Sequence, residues 1–129
     1  MTNQLTGLAP MLESDDLLRT LKFYTEVLGF ECQGQWPKDA PCWLSLRCGS
    51  VEVMFSNRNE QRREFAASPT PLLTGSIYFY TNEVEALWER LRERVTVEYP
   101  LETFEYGMRE FAIRDDCGYL LQFGQDTTA

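Results

Sequence analysis

The chain has 129 residues, of which 43% are hydrophobic, 13% aromatic and 25% charged, a globular composition that excludes disordered, collagenous and low-complexity classes and suits one domain. Twelve Lys and Arg against twenty Asp and Glu give a net charge of -8, which repels phosphate backbones and anionic lipid, so no nucleic-acid and no membrane partner is expected. No apolar stretch approaches the roughly 20 residues of a membrane span, the opening MTNQLTGLAP has no basic start or apolar signal core, and Cys32, Cys42, Cys48 and Cys117 form no CxxC pair, so a cytoplasmic protein with reduced thiols is expected.

Residues 8–13 form a short apolar run read as a strand, and Ser14, Asp15 and Asp16 behind it are helix-capping residues. Leu17, Leu21, Tyr24 and Leu28 then recur at helical spacing, with Gly29 placed to end a helix of about three turns. Residues 30–36 read as a strand interrupted by Gly34 and closed by Pro37, and residues 42–48 alternate in a second. Gly49 and Ser50 turn the chain into the strand 51–55. Residues 56–75 are polar, carry Pro69 and Pro71, and read as a linker with at most one short helix near 60–67; the charge run 58–64 reads as a solvated face.

The order then begins again. A strand at 76–81 leads to Asn82, which has capping-box spacing to Glu85, and to a helix whose apolar face is Val84, Leu87, Trp88 and Leu91. Strands are expected at 95–99, 108–114 and 119–124, with a loop or short strand at 100–106, a turn at 115–118 and a frayed tail at 125–129. Residues 7–55 and 76–124 therefore both read strand, helix, three strands. The expected fold is α+β: two βαβββ modules side by side, forming a curved mixed sheet, or cup, with the helices on its outer face.

The segments LKFYTEVLGFE (21–31) and GMREFAIRDDCGYLLQFG (107–124) resemble the vicinal oxygen chelate superfamily, which groups glyoxalases, extradiol dioxygenases, fosfomycin-modifying enzymes and bleomycin resistance proteins. The resemblance spans nearly the whole chain, and the second segment, ending in Phe-Gly, is most similar to the small bleomycin-resistance-type members. It implies the cup and a homodimer. It also implies that metal-using relatives would place ligands at Ala9, Val53, Ser76 and Gln122 of this chain. Those residue types do not suit a catalytic metal, which wants imidazole and carboxylate donors, and histidine is absent altogether. Glu13, Glu52 and Glu110 are the carboxylates a displaced site would have to use. No metal and no cofactor are expected.

With Ser76 and Gln122 facing the cup, alternation sends Tyr78, Tyr80 and Leu120 to the same face, along with Trp43, Ser45, Arg47, Met108, Glu110, Ala112 and Arg114. The opposite face would hold Leu44, Leu46, Ile77, Phe79, Phe111, Ile113, Tyr119, Leu121 and Phe123. The candidate ligand-binding set is Trp43, Phe55, Tyr78, Tyr80 and Met108 as apolar or stacking surface and Arg47, Ser76, Glu110 and Gln122 as polar anchors. Phe104 and Tyr106, with Trp36, are candidate loop cover. Read plainly, the aromatics only fill the interior, and Arg109 and Glu110 only make ion pairs or cross-strand pairs. The functional expectation is a metal-independent binder of a small, cationic aromatic molecule or antibiotic, with no catalytic residue. The alternative is a glyoxalase-like lyase or dioxygenase-like oxidoreductase, or a metal-free enzyme using Glu110 or a tyrosine as acid or base.

Overall fold

The computed structural model describes residues 4–57 and 73–128. The chain divides into two compact units, one up to residue 71 and one from residue 72. The short helix expected near 60–67 and the charge run 58–64 lie outside the described residues.

In the first unit the helix begins where the capping residues place it. The Arg19 N–H donates to Asp16 Oδ1 at 3.1 Å, and the Asp16 N–H donates to Ser14 Oγ at 3.0 Å. Ser14 and Thr20 are both buried and share a hydroxyl hydrogen bond of 2.7 Å. The helix, α1, is α-helical over Leu17–Lys22 and then widens into a π turn over Phe23–Val27. The Thr25 hydroxyl donates to the Leu21 carbonyl at 2.7 Å, the acceptor that its own N–H would take in an α-helix. That competition loosens the ladder, and the Leu28 N–H reaches back five residues to Phe23 O at 3.2 Å. Gly29, at φ 85°, then turns the chain in a conformation that favours glycine.

Strands β1 (Met11–Ser14), β2 (Glu31–Trp36), β3 (Trp43–Cys48) and β4 (Val51–Asn57) form a sheet in the order β1-β4-β3-β2, with β1 parallel to β4 and the other pairs antiparallel. Tyr24 seals α1 onto it, wholly buried, with its ring edge-on to Phe55 at 5.1 Å and Phe30 at 5.4 Å. The register corrects two expectations. Phe55 is the partner of Leu44, and Val53 of Leu46, and partners across a ladder share a face. Both therefore lie with Leu44 and Leu46 on the face covered by Tyr24, not with Trp43. Glu52, the partner of Arg47, takes the open face instead.

The second unit holds β5 (Ile77–Tyr80), α2 (Val84–Leu91), β6 (Thr96–Thr103), β7 (Met108–Arg114) and β8 (Leu120–Asp126), in the sheet order β5-β8-β7-β6. Its core is an aromatic ladder: Phe79 and Phe111 stack on Phe123 at 5.2 Å each, and Trp88 of α2 meets Phe111 at 5.1 Å. Such pairs contribute about 0.5–1.5 kcal/mol each beyond area burial.

Three expectations change here. Asn82 does not cap α2. Its N-cap is Glu83, without a side-chain cap bond, and the Val84 N–H donates to Gln125 Oε1 of β8 at 3.0 Å. Glu85, the other half of the expected box, is held by Arg109 at 3.0 Å. Gln125 is accordingly not frayed: β8 runs to Asp126, and the Thr127 N–H donates to Gly107 O at 2.9 Å. Finally, residues 96–103 form one strand through Pro100, which the sheet tolerates because β6 is an edge.

Both units thus read strand, helix, three strands, and the fold is α+β, built of two βαβββ modules. Among the described residues no helix is long and apolar enough to cross a membrane, and Cys32, Cys42, Cys48 and Cys117 are free thiols, the first three exposed.

Candidate functional site

Alternation along β7 splits its charges. Arg109 shares the helix face with Phe111 and is spent on Glu85 and on the Thr103 hydroxyl, which accepts from it at 3.0 Å. Glu110 points the other way and is only 2% exposed. Among the described residues its side-chain partners are three phenols. Tyr78 donates to Oε2, while Tyr106 and, at 3.1 Å, Tyr99 donate to Oε1. The other arginine of β7, Arg114, grips Glu98 at 3.0 Å and donates to Gly118 O at 3.1 Å. Among the described residues, the hydrogen-bond donors to Glu110 are thus all neutral.

Around this centre the network widens. Gln122, the register partner of Tyr78 and of Ala112, donates from Nε2 to the Tyr99 hydroxyl at 2.7 Å and accepts the Ser76 hydroxyl at Oε1. Tyr80 lies at 5.3 Å from the Tyr78 ring and is 81% exposed. Phe104 stacks on Tyr106 at 5.5 Å with 7° between the rings and meets Tyr99 edge-on at 5.8 Å. One face of the second sheet thus presents aromatic rings over a buried carboxyl group.

The tyrosines are held in their neutral form. Burial, then the hydrogen bond to and charge of Glu110, raise the Tyr78 pKa well above its ordinary value. Burial also raises that of Tyr99, opposed by the Gln122 hydrogen bond and reinforced by Glu110. Tyr106 is pushed up to about 12, chiefly by its hydrogen bond to Glu110. These phenols are donors at neutral pH and do not supply a phenolate base.

Of the candidate residues, Ser76, Tyr78, Tyr80, Phe104, Tyr106, Glu110 and Gln122 are brought together here. Met108 is half-buried, two residues before Glu110 and on its face by alternation. Trp43 and Arg47 belong to the first unit, where Trp43 lies against Gly34 and Arg47 is committed to Gln33 at 3.2 Å and Glu52 at 3.3 Å. Phe55 is in that unit's core. Two participants escape sequence reading. Tyr99 lies between bulges at 97/99 and 99/102, which break the parity count that would place it. Gly124 is the floor on which Tyr78 lies: a Cβ there would collide with the Tyr78 hydroxyl and come within 2.7 Å of Cζ.

The donors do not fit a catalytic divalent metal. Ser76 and Gln122 are neutral and bonded to each other. On β4 the open face offers Glu52, whose oxygens take the Ser45 hydroxyl at 2.5 Å and the Arg47 guanidinium at 3.3 Å, so its charge is already compensated. An open cavity of about 560 Å³ at the start of α2, lined by Glu83, Glu85, Arg109 and Asp126 among others, includes none of the candidate residues.

A family model described as the Glyoxalase/Bleomycin resistance protein/Dioxygenase superfamily matches residues 9–123. Three solved structures illustrate the likeness. TioX from Micromonospora sp. ML1 is 20% identical, with a TM-score of 0.76 over 94% of this chain and 98% of that one. Lactoylglutathione lyase from Agrobacterium tumefaciens is 23% identical, with 0.69 over 93% and 92%. The bleomycin-binding protein of bleomycin-producing Streptomyces verticillus, complexed with copper(II)-bleomycin, is 22% identical, with 0.69 over 95% and 97%. Comparison with curated proteins finds no match.

Proposed function

The chain belongs to the glyoxalase/bleomycin resistance protein/dioxygenase superfamily, and on that premise we propose that it is a metal-independent binding protein that sequesters a small aromatic cation on the Glu110 face of its second module. The observation that carries this reading is the composition of that face. A carboxyl group 2% exposed has three phenolic hydroxyls and, among the described residues, no ammonium or guanidinium as partners. Burying an uncompensated carboxylate costs several kcal/mol; hydrogen bonds from phenols offset part of that cost and bring no positive charge. Each O–H polarised toward Glu110 leaves its ring richer in electrons, which strengthens the attraction of the ring face for a cation. Tyr80 and Tyr106 are 81% and 66% exposed, open to such a partner.

Sequestration without turnover accords with the neutral phenols and with a donor set unsuited to a metal. The bleomycin-binding structure is a fold-level likeness to a chain complexed with copper(II)-bleomycin, and metal-free bleomycin is accordingly one probe for this chain. The proposal includes a cytoplasmic setting, supported by four free thiols, and a homodimer, supported by Leu5 and Leu8, each 90% exposed, next to the edge strand β1. Calorimetric titration in the presence of a chelator tests the central reading, using tryptamine, its neutral alcohol analogue tryptophol, and indole-3-acetate. Tryptamine is expected to bind most tightly and the anion least. Loss of binding on chelation, or preference for the anion, would overturn the proposal.

A further inference from the structure

The hydrogen-bond inventory of this face restricts the kind of cation it accepts. Each phenol has one proton to give, and those of Tyr78, Tyr99 and Tyr106 all go to Glu110. The Ser76 proton goes to Gln122 Oε1, and one of the two Gln122 amide protons goes to Tyr99. With their protons so taken, Tyr78, Tyr106 and Ser76 have oxygen lone pairs left to offer a ligand. Such a surface offers a carbonyl, phosphate or carboxylate ligand almost no donor, whereas an N–H-bearing cation finds acceptors made more basic by the hydrogen bonds they already donate. Next to them, the stacked pair Phe104 and Tyr106, with 7° between rings 5.5 Å apart, offers a flat surface for an aromatic body.

We infer that the ligand is a protonated amine or amidine attached to an aromatic ring, recognised through its N–H groups by the phenolic and seryl oxygens, and not a quaternary ammonium ion. Ring faces alone would not make this distinction, since cation–π attraction serves quaternary ammonium equally well. The inference rests on the proposed cation-binding role and narrows it.

A methylation series at constant charge and ring separates the two. Wild-type protein is titrated calorimetrically with tryptamine, N-methyltryptamine, N,N-dimethyltryptamine and N,N,N-trimethyltryptammonium, with tryptophol as the neutral reference. The first three retain at least one ammonium N–H when protonated, and the last has none, the indole N–H being common to the whole series. Affinity is expected to change little over the first three and to fall about ten-fold at the last step, the loss of a charge-assisted hydrogen bond. A trimethyl compound that binds as well as the dimethyl overturns this inference while leaving the cation reading in place. A series in which no cation binds better than tryptophol overturns both.

Discussion

Gly124 is where one residue's identity is dictated most plainly. Tyr78 reaches Glu110 by crossing β8 at this position, and a methyl group there would sit 2.7 Å from Cζ and closer still to the hydroxyl. Gly124→Ala is expected to cost about 1–3 kcal/mol by overpacking, read from denaturant unfolding. The cost should shrink in a Tyr78→Ala background, because residues in contact are not additive. Glu110 contributes to the raised pKa of each neighbouring tyrosine and is the chief cause for Tyr106. Tyr106, whose ordinary pKa is 10.0, is held at about 12 by its hydrogen bond to Glu110. A group that keeps its proton more tightly when folded stabilises the fold fully below its unfolded pKa, and that stabilisation is lost as pH rises through the folded one. Stability should thus decline from pH 10 through about 12. Phenolate absorbance should show Tyr106 ionising nearer its ordinary pH in Glu110→Gln.

At the scale of elements, α2 is started from a neighbouring strand. Gln125 supplies the acceptor for the Val84 N–H, so Gln125→Ala is expected to destabilise the second unit by about 0.5–2 kcal/mol, as loss of a helix cap does, measured by thermal unfolding. This contact also shows what sequence conveys and what it does not. The α1 cap was legible because Asp16 and Arg19 are three residues apart, whereas Gln125 and Val84 are 41 apart and meet only through the sheet. The faces of β5, β7 and β8 were legible because period-2 alternation runs unbroken through Ile77–Tyr80, Met108–Arg114 and Leu120–Asp126. Tyr99 was not, since the bulges of β6 reset the count on either side of it. Phe55 and Val53 were misplaced for a related reason: a face is assigned by the partner strand, and the register Leu44 to Phe55 is a fact of pairing, not of composition.

For the molecule as a whole, a net charge of -8 surrounds a carboxyl group with no cation among its described partners. Such a field draws cations toward the protein, and salt screens it over about 10 Å at 0.1 M. Affinity for tryptamine should therefore fall as sodium chloride is raised, while weak binding of tryptophol should change little, both read by calorimetry. The repeat of two βαβββ modules was visible in the sequence because each must bury one face of its sheet beneath its own helix. The binding chemistry was visible only in outline, because it depends on three tyrosines from three different segments converging on Glu110. The most direct measurement of the central claim is the affinity of tryptamine for wild type and for Glu110→Gln, with thermal unfolding of both confirming that the variant is folded. The substitution removes the charge and keeps the shape. Binding weakened about ten-fold or more in the variant, as loss of a nearby charge in a partly dry site requires, is the expected result; equal affinity in the two proteins would contradict the account.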